Sequence, residues 1–169
     1  MNKRLVSLCL AGTLLLGLCA EASATFRVYT TPAAATQPVA VAPTRIVLNR
    51  ALDALGTPYR WGGTSLKKGF DCSGLVQYAF QPLDDLELPR TSRALARLDA
   101  PSVKRADLQP GDLLFFKIRQ RTVDHVAIYL GEGRFIHAPR RGSNVRIDRL
   151  NNSYWKRHFQ LAKRVVPHV

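Results

Sequence analysis

The chain has 169 residues, 25 Lys and Arg against 12 Asp and Glu, and a formal net charge of +13. Once its leading segments are set aside, that length allows one compact domain and no more. The positive surplus favours a polyanionic partner, but basic residues run from Arg27 to Arg164 without bunching, so charge sets the neighbourhood and not the chemistry.

Residues 1–24 read as an export signal. Lys3 and Arg4 open it, an apolar run follows, and Ala22, Ser23 and Ala24 form a small-residue cleavage site. The run is shorter than the roughly 20 residues that span a bilayer, so no stable membrane anchor is expected after cleavage. A lipid anchor at Cys19 would need small residues before it, and Leu18 stands there. The expectation is a soluble, monomeric protein, periplasmic or secreted. Removing Lys3, Arg4 and Glu21 leaves 23 basic against 11 acidic residues, about +12.

Cleavage also removes Cys9 and Cys19, so Cys72 is the one remaining thiol. In an oxidising compartment an odd cysteine points to an intermolecular bridge or a reactive group, or else to a small buried apolar residue. Residues 25–43, rich in Ala, Thr and Pro, read as a flexible linker. Residues 44–169 then form the domain.

"TRIVLNRALDALG" has helical spacing, with Thr44 as the expected N-cap and Gly56 as the stop. A glycine-rich turn, "PYRWGGTSLKKG", precedes "FDCSGLVQYAF". There Leu75, Val76, Ala79 and Phe80 fall on one helical face with Cys72. Asp71 is the expected N-cap, which places Cys72 in the first turn of a helix. The positive end of that helix should lower the thiol pKa from about 8.5 and donate to an oxyanion, while the Asp71 charge opposes the lowering.

A polar connection over 88–112 leads to strand-like segments: "DLLFFKI", "HVAIYLG", "RFIHA" and "NVRIDRL". "YWKRHF" and a last apolar strand, "LAKRVVP", follow. Helices first and an antiparallel sheet second predict an α+β fold.

A thiol nucleophile needs a base. Alternation places His125, Ala127 and Tyr129 on one strand face, and Phe135 and His137 on one face of the next. If Gly131–Gly133 is a three-residue loop, Leu130 pairs with Arg134 and Ala127 with His137. His125 and His137 then become diagonal neighbours, roughly 7–8 Å apart at the backbone. A two-residue loop would flip one of them away. In that register His125 can activate Cys72 while His137 orients His125. His158 and His168 read as surface residues. A zinc site on Cys72, His125 and His137 lacks any supporting ligand spacing. Tyr59 could supply an O–H to the site, and Arg90 could hold a substrate carboxylate.

"GTPYRWGGTSLKKGFDCSGLVQYAF", "LPRTS", "LQPGDLLFF", "DHVAIYLGEGRFIHAP" and "YWKRHF" together resemble the NlpC family of papain-like cell-wall cysteine peptidases. The resemblance runs in order from about residue 44 to the end. It implies a reduced papain-like fold, helices packed on an antiparallel sheet, and hydrolysis of peptide bonds in peptidoglycan stem peptides or cross-links, as a D,L-endopeptidase. It implies Cys72 as nucleophile, His125 as base, His137 as the third polar member and Tyr59 beside the oxyanion. Asp71, Ser73 and Arg90 match positions around the substrate cleft. No metal or organic cofactor and no nucleic-acid partner are implied. Two other readings use the same residues: a non-catalytic wall-binding or assembly protein, and an acyl-transfer or effector enzyme with the same Cys-His pair.

Overall fold

Pro43 opens the first helix among the described residues. Its locked φ suits a first turn, where its missing N–H has no intrahelical partner to lose. Helix α1 runs over Pro43–Asp53 in the computed structural model of the protein. The structure describes residues 42–84 and 86–166. The expected export signal, nearly all of the expected linker and His168 lie outside them.

Two expectations at this end are corrected. Pro43 belongs to the helix and not to a linker, and Thr44 sits inside the first turn, with Ala42 at the cap position without a side-chain bond. Gly56 is left-handed, as a stop requires, but lies beyond the helix end, where its N–H donates to the Val145 carbonyl at 2.9 Å.

A short hairpin of β1 (Thr64–Ser65) and β2 (Gly69–Phe70) leads into α2 (Cys72–Phe80). The face read from the sequence is the buried one: Leu75, Val76 and Ala79 are fully buried and Phe80 nearly so. They pack with Val47 and Ala51 of α1 against Phe115, Val126 and Ile128. Burying Leu75, Val76 and Phe80 contributes about 1.5–3 kcal/mol each.

The polar connection contains α3 (Ser92–Leu95) and the edge strand β3 (Ser102–Val103). Then come β4 (Leu113–Phe116), β5 (His125–Gly131), β6 (Arg134–His137) and β7 (Arg146–Arg149). "YWKRHF" makes a helix, α4 (Ser153–His158), whose cap Asn152 accepts from the Tyr154 N–H. The last strand, β8 (Phe159–Lys163), begins two residues before "LAKRVVP". It stops at Arg164, whose guanidinium turns to the buried carboxylate of Asp112 at 2.8 Å.

The strands form one antiparallel sheet in the order β3-β8-β4-β5-β6-β7. Helices α1 and α2 cover one face. The other face carries Leu114, Phe116, Ala127, Tyr129 and Phe135, closed by Trp155 from α4. Burial on both faces explains why all four residues of "LLFF" are buried instead of alternating.

The β5–β6 hairpin departs from the expected loop. Gly131 pairs with Arg134, leaving Glu132 and Gly133 as a two-residue turn with φ of 53° and 70°. Leu130, expected opposite Arg134, is instead the extra residue of a bulge between Tyr129 and Gly131. A two-residue loop alone would have turned one histidine away, but the bulge restores the lost residue. Tyr129 pairs with Phe135 and Ile128 with Ile136, the register that keeps His125 and His137 on one face.

Candidate active site

Asp71 builds the start of α2. Its Oδ1 accepts from the Gly74 N–H at 2.7 Å and its Oδ2 from the Gly62 N–H at 2.8 Å, tying the glycine-rich turn to the helix terminus. Arg90 donates through Nη2 to Oδ2 at 2.7 Å and through Nη1 to Oδ1 at 2.9 Å. The same Nη1 donates to Ser73 Oγ at 2.9 Å, and Ser73 donates to Asp71 at 3.3 Å. Arg90 was expected to hold a substrate carboxylate, yet its fork is occupied by a carboxylate of the protein itself.

Cys72 is half-buried at the head of this helix, and the Val126 N–H lies against its sulfur. Burial pushes the thiol up to about 11; the Asp71 charge adds to the rise, and the N–H groups of Val126, Ser73 and Cys72 oppose it. The N–H groups at the helix terminus lower the thiol and Asp71 opposes them, as expected, but the net shift is upward. Desolvation of the sulfur outweighs the amide dipoles, so Cys72 rests as a protonated thiol.

The histidines sit at one end of the sheet, where Phe116 pairs with His125 and His137 with Arg146. Nε2 of His125 lies 2.9 Å from Nδ1 of His137, with the rings at 81°. Nε2 of His137 lies 3.0 Å from Oδ2 of Asp148 on β7. Burial drives both imidazoles below their usual range; His137 adds to the lowering of His125, and Asp148 opposes it at both. Partial burial disfavours an ionised Asp148, but the bonds from His137 and Arg146 outweigh it and hold the carboxyl well below the usual range.

These charge states settle the protons. An ionised carboxylate only accepts, so His137 carries its proton on Nε2 and offers the Nδ1 lone pair. His125 must then donate from Nε2. Its Nδ1 is left as the free lone pair of the chain.

Two residues of this cluster had no reading in the sequence. Asp148 lies in the expected strand "NVRIDRL", and pairing that strand with "RFIHA" would have placed it opposite Phe135. Trp155 stacks on His125 with ring centroids 5.8 Å apart, meets His137 edge-on at 4.9 Å, and donates its indole N–H to Asp148 at 2.9 Å. A helix breaking the run of strands carried no such signal.

Cys72 and His125 open into a cleft of about 1680 Å³ that Tyr59, Trp61, Asp71, Ser73 and Arg90 also line. His137 is fully buried behind it. Burial raises the Tyr59 hydroxyl, with Cys72 and Asp71 adding and Arg141 and Arg119 opposing, so it remains a donor. Trp61 stands 81% exposed at the rim. His158 is half-buried on α4, its Nδ1 2.7 Å from the Tyr154 carbonyl. Among the described residues, no group of three or more His, Cys, Asp or Glu is arranged to hold a metal ion, and no helix is long and apolar enough to cross a membrane.

Residues 56–164 match the model of the NlpC/P60 family. Murein DD-endopeptidase MepH of Escherichia coli is 45% identical over 125 residues, covering 73% of this chain and 46% of the relative. Murein DD-endopeptidase MepS/Murein LD-carboxypeptidase of Escherichia coli is 41% identical over 120 residues, covering 71% and 62%. The chain thus spans about half to three-fifths of the length of these relatives. A crystal structure of an NlpC/P60 family protein from Bacillus cereus superposes with a TM-score of 0.66 at 36% identity, over 73% of this chain and 40% of that one.

Proposed function

The chain belongs to the NlpC/P60 family, and on that footing we propose that it is an exported cysteine endopeptidase of peptidoglycan. The observation that carries the reading is the unbroken line Asp148–His137–His125, which ends beside the cleft that Cys72 lines.

In this mechanism the lone pair on Nδ1 of His125 takes the Cys72 proton as the sulfur attacks the scissile carbonyl carbon. His137 and Asp148 stabilise the resulting imidazolium. The carbonyl oxygen becomes an oxyanion that accepts from the Cys72 N–H and the Tyr59 hydroxyl. Collapse breaks the C–N bond, and His125 returns its proton to the leaving amine. Water, deprotonated by the same nitrogen, then opens the thioester and releases the acid. A thiol held near 11 favours this concerted base catalysis over a resting thiolate–imidazolium pair.

The names of the relatives support murein as substrate, and "DD-endopeptidase" in two of them favours the cross-link over the D,L bond of the stem peptide. Residues 1–24 are proposed as the leader and the residues up to α1 as a linker. The mature protein is proposed to act as a periplasmic or secreted monomer.

The second reading is a non-catalytic wall binder, which would need no proton transfer from Cys72. Digestion of purified sacculi by wild type and Cys72→Ala, read by mass spectrometry of the muropeptides, separates the readings. Hydrolysis predicts fragments that gain one water, released by wild type alone. Equal release by Cys72→Ala sinks the proposal, binding without release selects the wall binder, and products bearing an acceptor amine select acyl transfer.

A further inference from the structure

The charge of the cleft is lopsided. Its walls hold three aspartates, and each is committed within the protein. Asp71 binds Arg90, Asp148 binds His137 and Arg146, and Asp124 accepts from the N–H groups of Ile118, Arg119 and Gln120 at 2.7, 2.8 and 3.1 Å. Arg93 donates to Gln120. Four further arginines on the cleft walls, Arg119, Arg140, Arg141 and Arg149, are exposed and have no acidic partner among the described residues.

Two of these are set in place by the backbone. The three bonds to Asp124 pin the loop that carries Arg119. The loop carrying Arg140 and Arg141 is laced to the segment before Tyr59: the Tyr59 N–H donates to the Ser143 carbonyl at 2.8 Å and the Val145 N–H to the Thr57 carbonyl at 2.8 Å. A turn between Arg140 and Ser143 closes that loop, with a 3.1 Å bond. Arg119, Arg141 and Tyr59 line the same cleft. Two loops from separate parts of the chain thus bring arginines to the walls of one cleft, and one of those loops is bonded to the backbone at Tyr59.

We propose that Arg119 and Arg141 form a carboxylate-recognising subsite on the walls of the cleft that Cys72 lines, which selects peptides with a free carboxylate near the bond to be cut. The inference rests on the endopeptidase reading. A guanidinium fork matches a carboxylate in two parallel bonds, and such charge-assisted pairs are the stronger class. The three aspartates of the cleft are committed elsewhere, so among the described residues no carboxylate lining it is paired with the two forks. A primary amide in place of the carboxylate keeps the shape and loses the charge.

The test uses matched stem peptides with their carboxylates free or converted to primary amides. Wild type should cleave the free acid with a KM lower by about tenfold, a preference that shrinks as salt rises. The double variant Arg119→Ala/Arg141→Ala should treat the two peptides alike. The binding affinity of Cys72→Ala for each peptide, measured with and without the two arginine changes, reads the subsite apart from catalysis. A binding preference without cleavage would leave the subsite standing and remove the endopeptidase reading. Equal handling of acid and amide by wild type overturns the subsite, and so does a preference that survives in the double variant. A loss of affinity equal for both peptides also overturns it, marking the arginines as a general adhesive patch.

Discussion

Nε2 of His125 and Nδ1 of His137 lie 2.9 Å apart, each on its own strand at the same end of the sheet. Twelve residues and a hairpin separate them, and a single bulge at Leu130 decides that they meet. Because His137 is itself bonded to Asp148, the pair has a direction: protons sit on Nε2 in both rings, and Nδ1 of His125, a residue that lines the cleft, keeps its lone pair.

In the proposed mechanism Asp148 is a positioning residue. Asp148→Asn should lower kcat/KM by about 10²-fold or more, since the amide can donate to His137 and reverse the tautomer chain. Circular dichroism should show the fold intact. Nitrogen-15 shifts of His137 should report a change of tautomer. Activity within a factor of about two of wild type would remove Asp148 from the mechanism.

Stability should fall at both ends of the pH scale. His125 and His137 have folded-state pKa values below their ordinary 6.5, so the unfolded chain binds more protons below that pH. Unfolding free energy should then decline as pH falls from about 6.5, and Asp148 adds to the loss as pH drops below its ordinary 3.8. Cys72 runs the other way: its folded pKa is raised from 9.0 to about 11, so its contribution is complete below pH 9.0 and is lost towards 11. Urea midpoints across this range check both limbs.

Alkylation of Cys72 by iodoacetamide should rise through alkaline pH with a midpoint well above that of a free thiol. A rate that plateaus below pH 7 would indicate a resting thiolate–imidazolium pair, contrary to the burial that holds the thiol near 11.

Gly74 packs the first turn of α2 on the glycine-rich loop. A Cβ there would collide with the carbonyl oxygen of Gly63, a backbone atom that cannot swing aside. Gly74→Ala should destabilise by about 1–3 kcal/mol or more, and should lower activity by shifting Cys72. Thermal unfolding checks the first claim and sacculus digestion the second.

Asp112 is fully buried, and Arg164 meets it through Nε and Nη2 at 2.8 and 2.9 Å. Among the described residues, Arg164→Ala leaves that carboxylate with the Gln109 N–H alone as a donor and should cost about 3–5 kcal/mol. Denaturant titration measures it. A loss below about 1 kcal/mol, the range of exposed pairs, would show that water replaces the guanidinium.

Much of the site could be read locally. The helical stripe behind Cys72, the cap at Asp71 and the alternation of His125 and His137 depend on neighbours a few residues apart. The family motifs lie in those same stretches. The hairpin was half legible: its faces came out right, but the bulge was not visible, because a loop's length in the sequence does not show which residue leaves the ladder.

By itself, then, the sequence determined which residues share a face and where the thiol enters its helix, since those follow from periods of 3.6 and 2. Tertiary structure alone decided what surrounds them. Asp148 reaches His137 only because β7 pairs with β6, Trp155 closes over both imidazoles from a helix further along, and Arg90 crosses 19 residues to fill its fork with Asp71. The thiol pKa reversed for the same reason: a helix dipole is local, whereas desolvation sums over everything the fold packs around the sulfur.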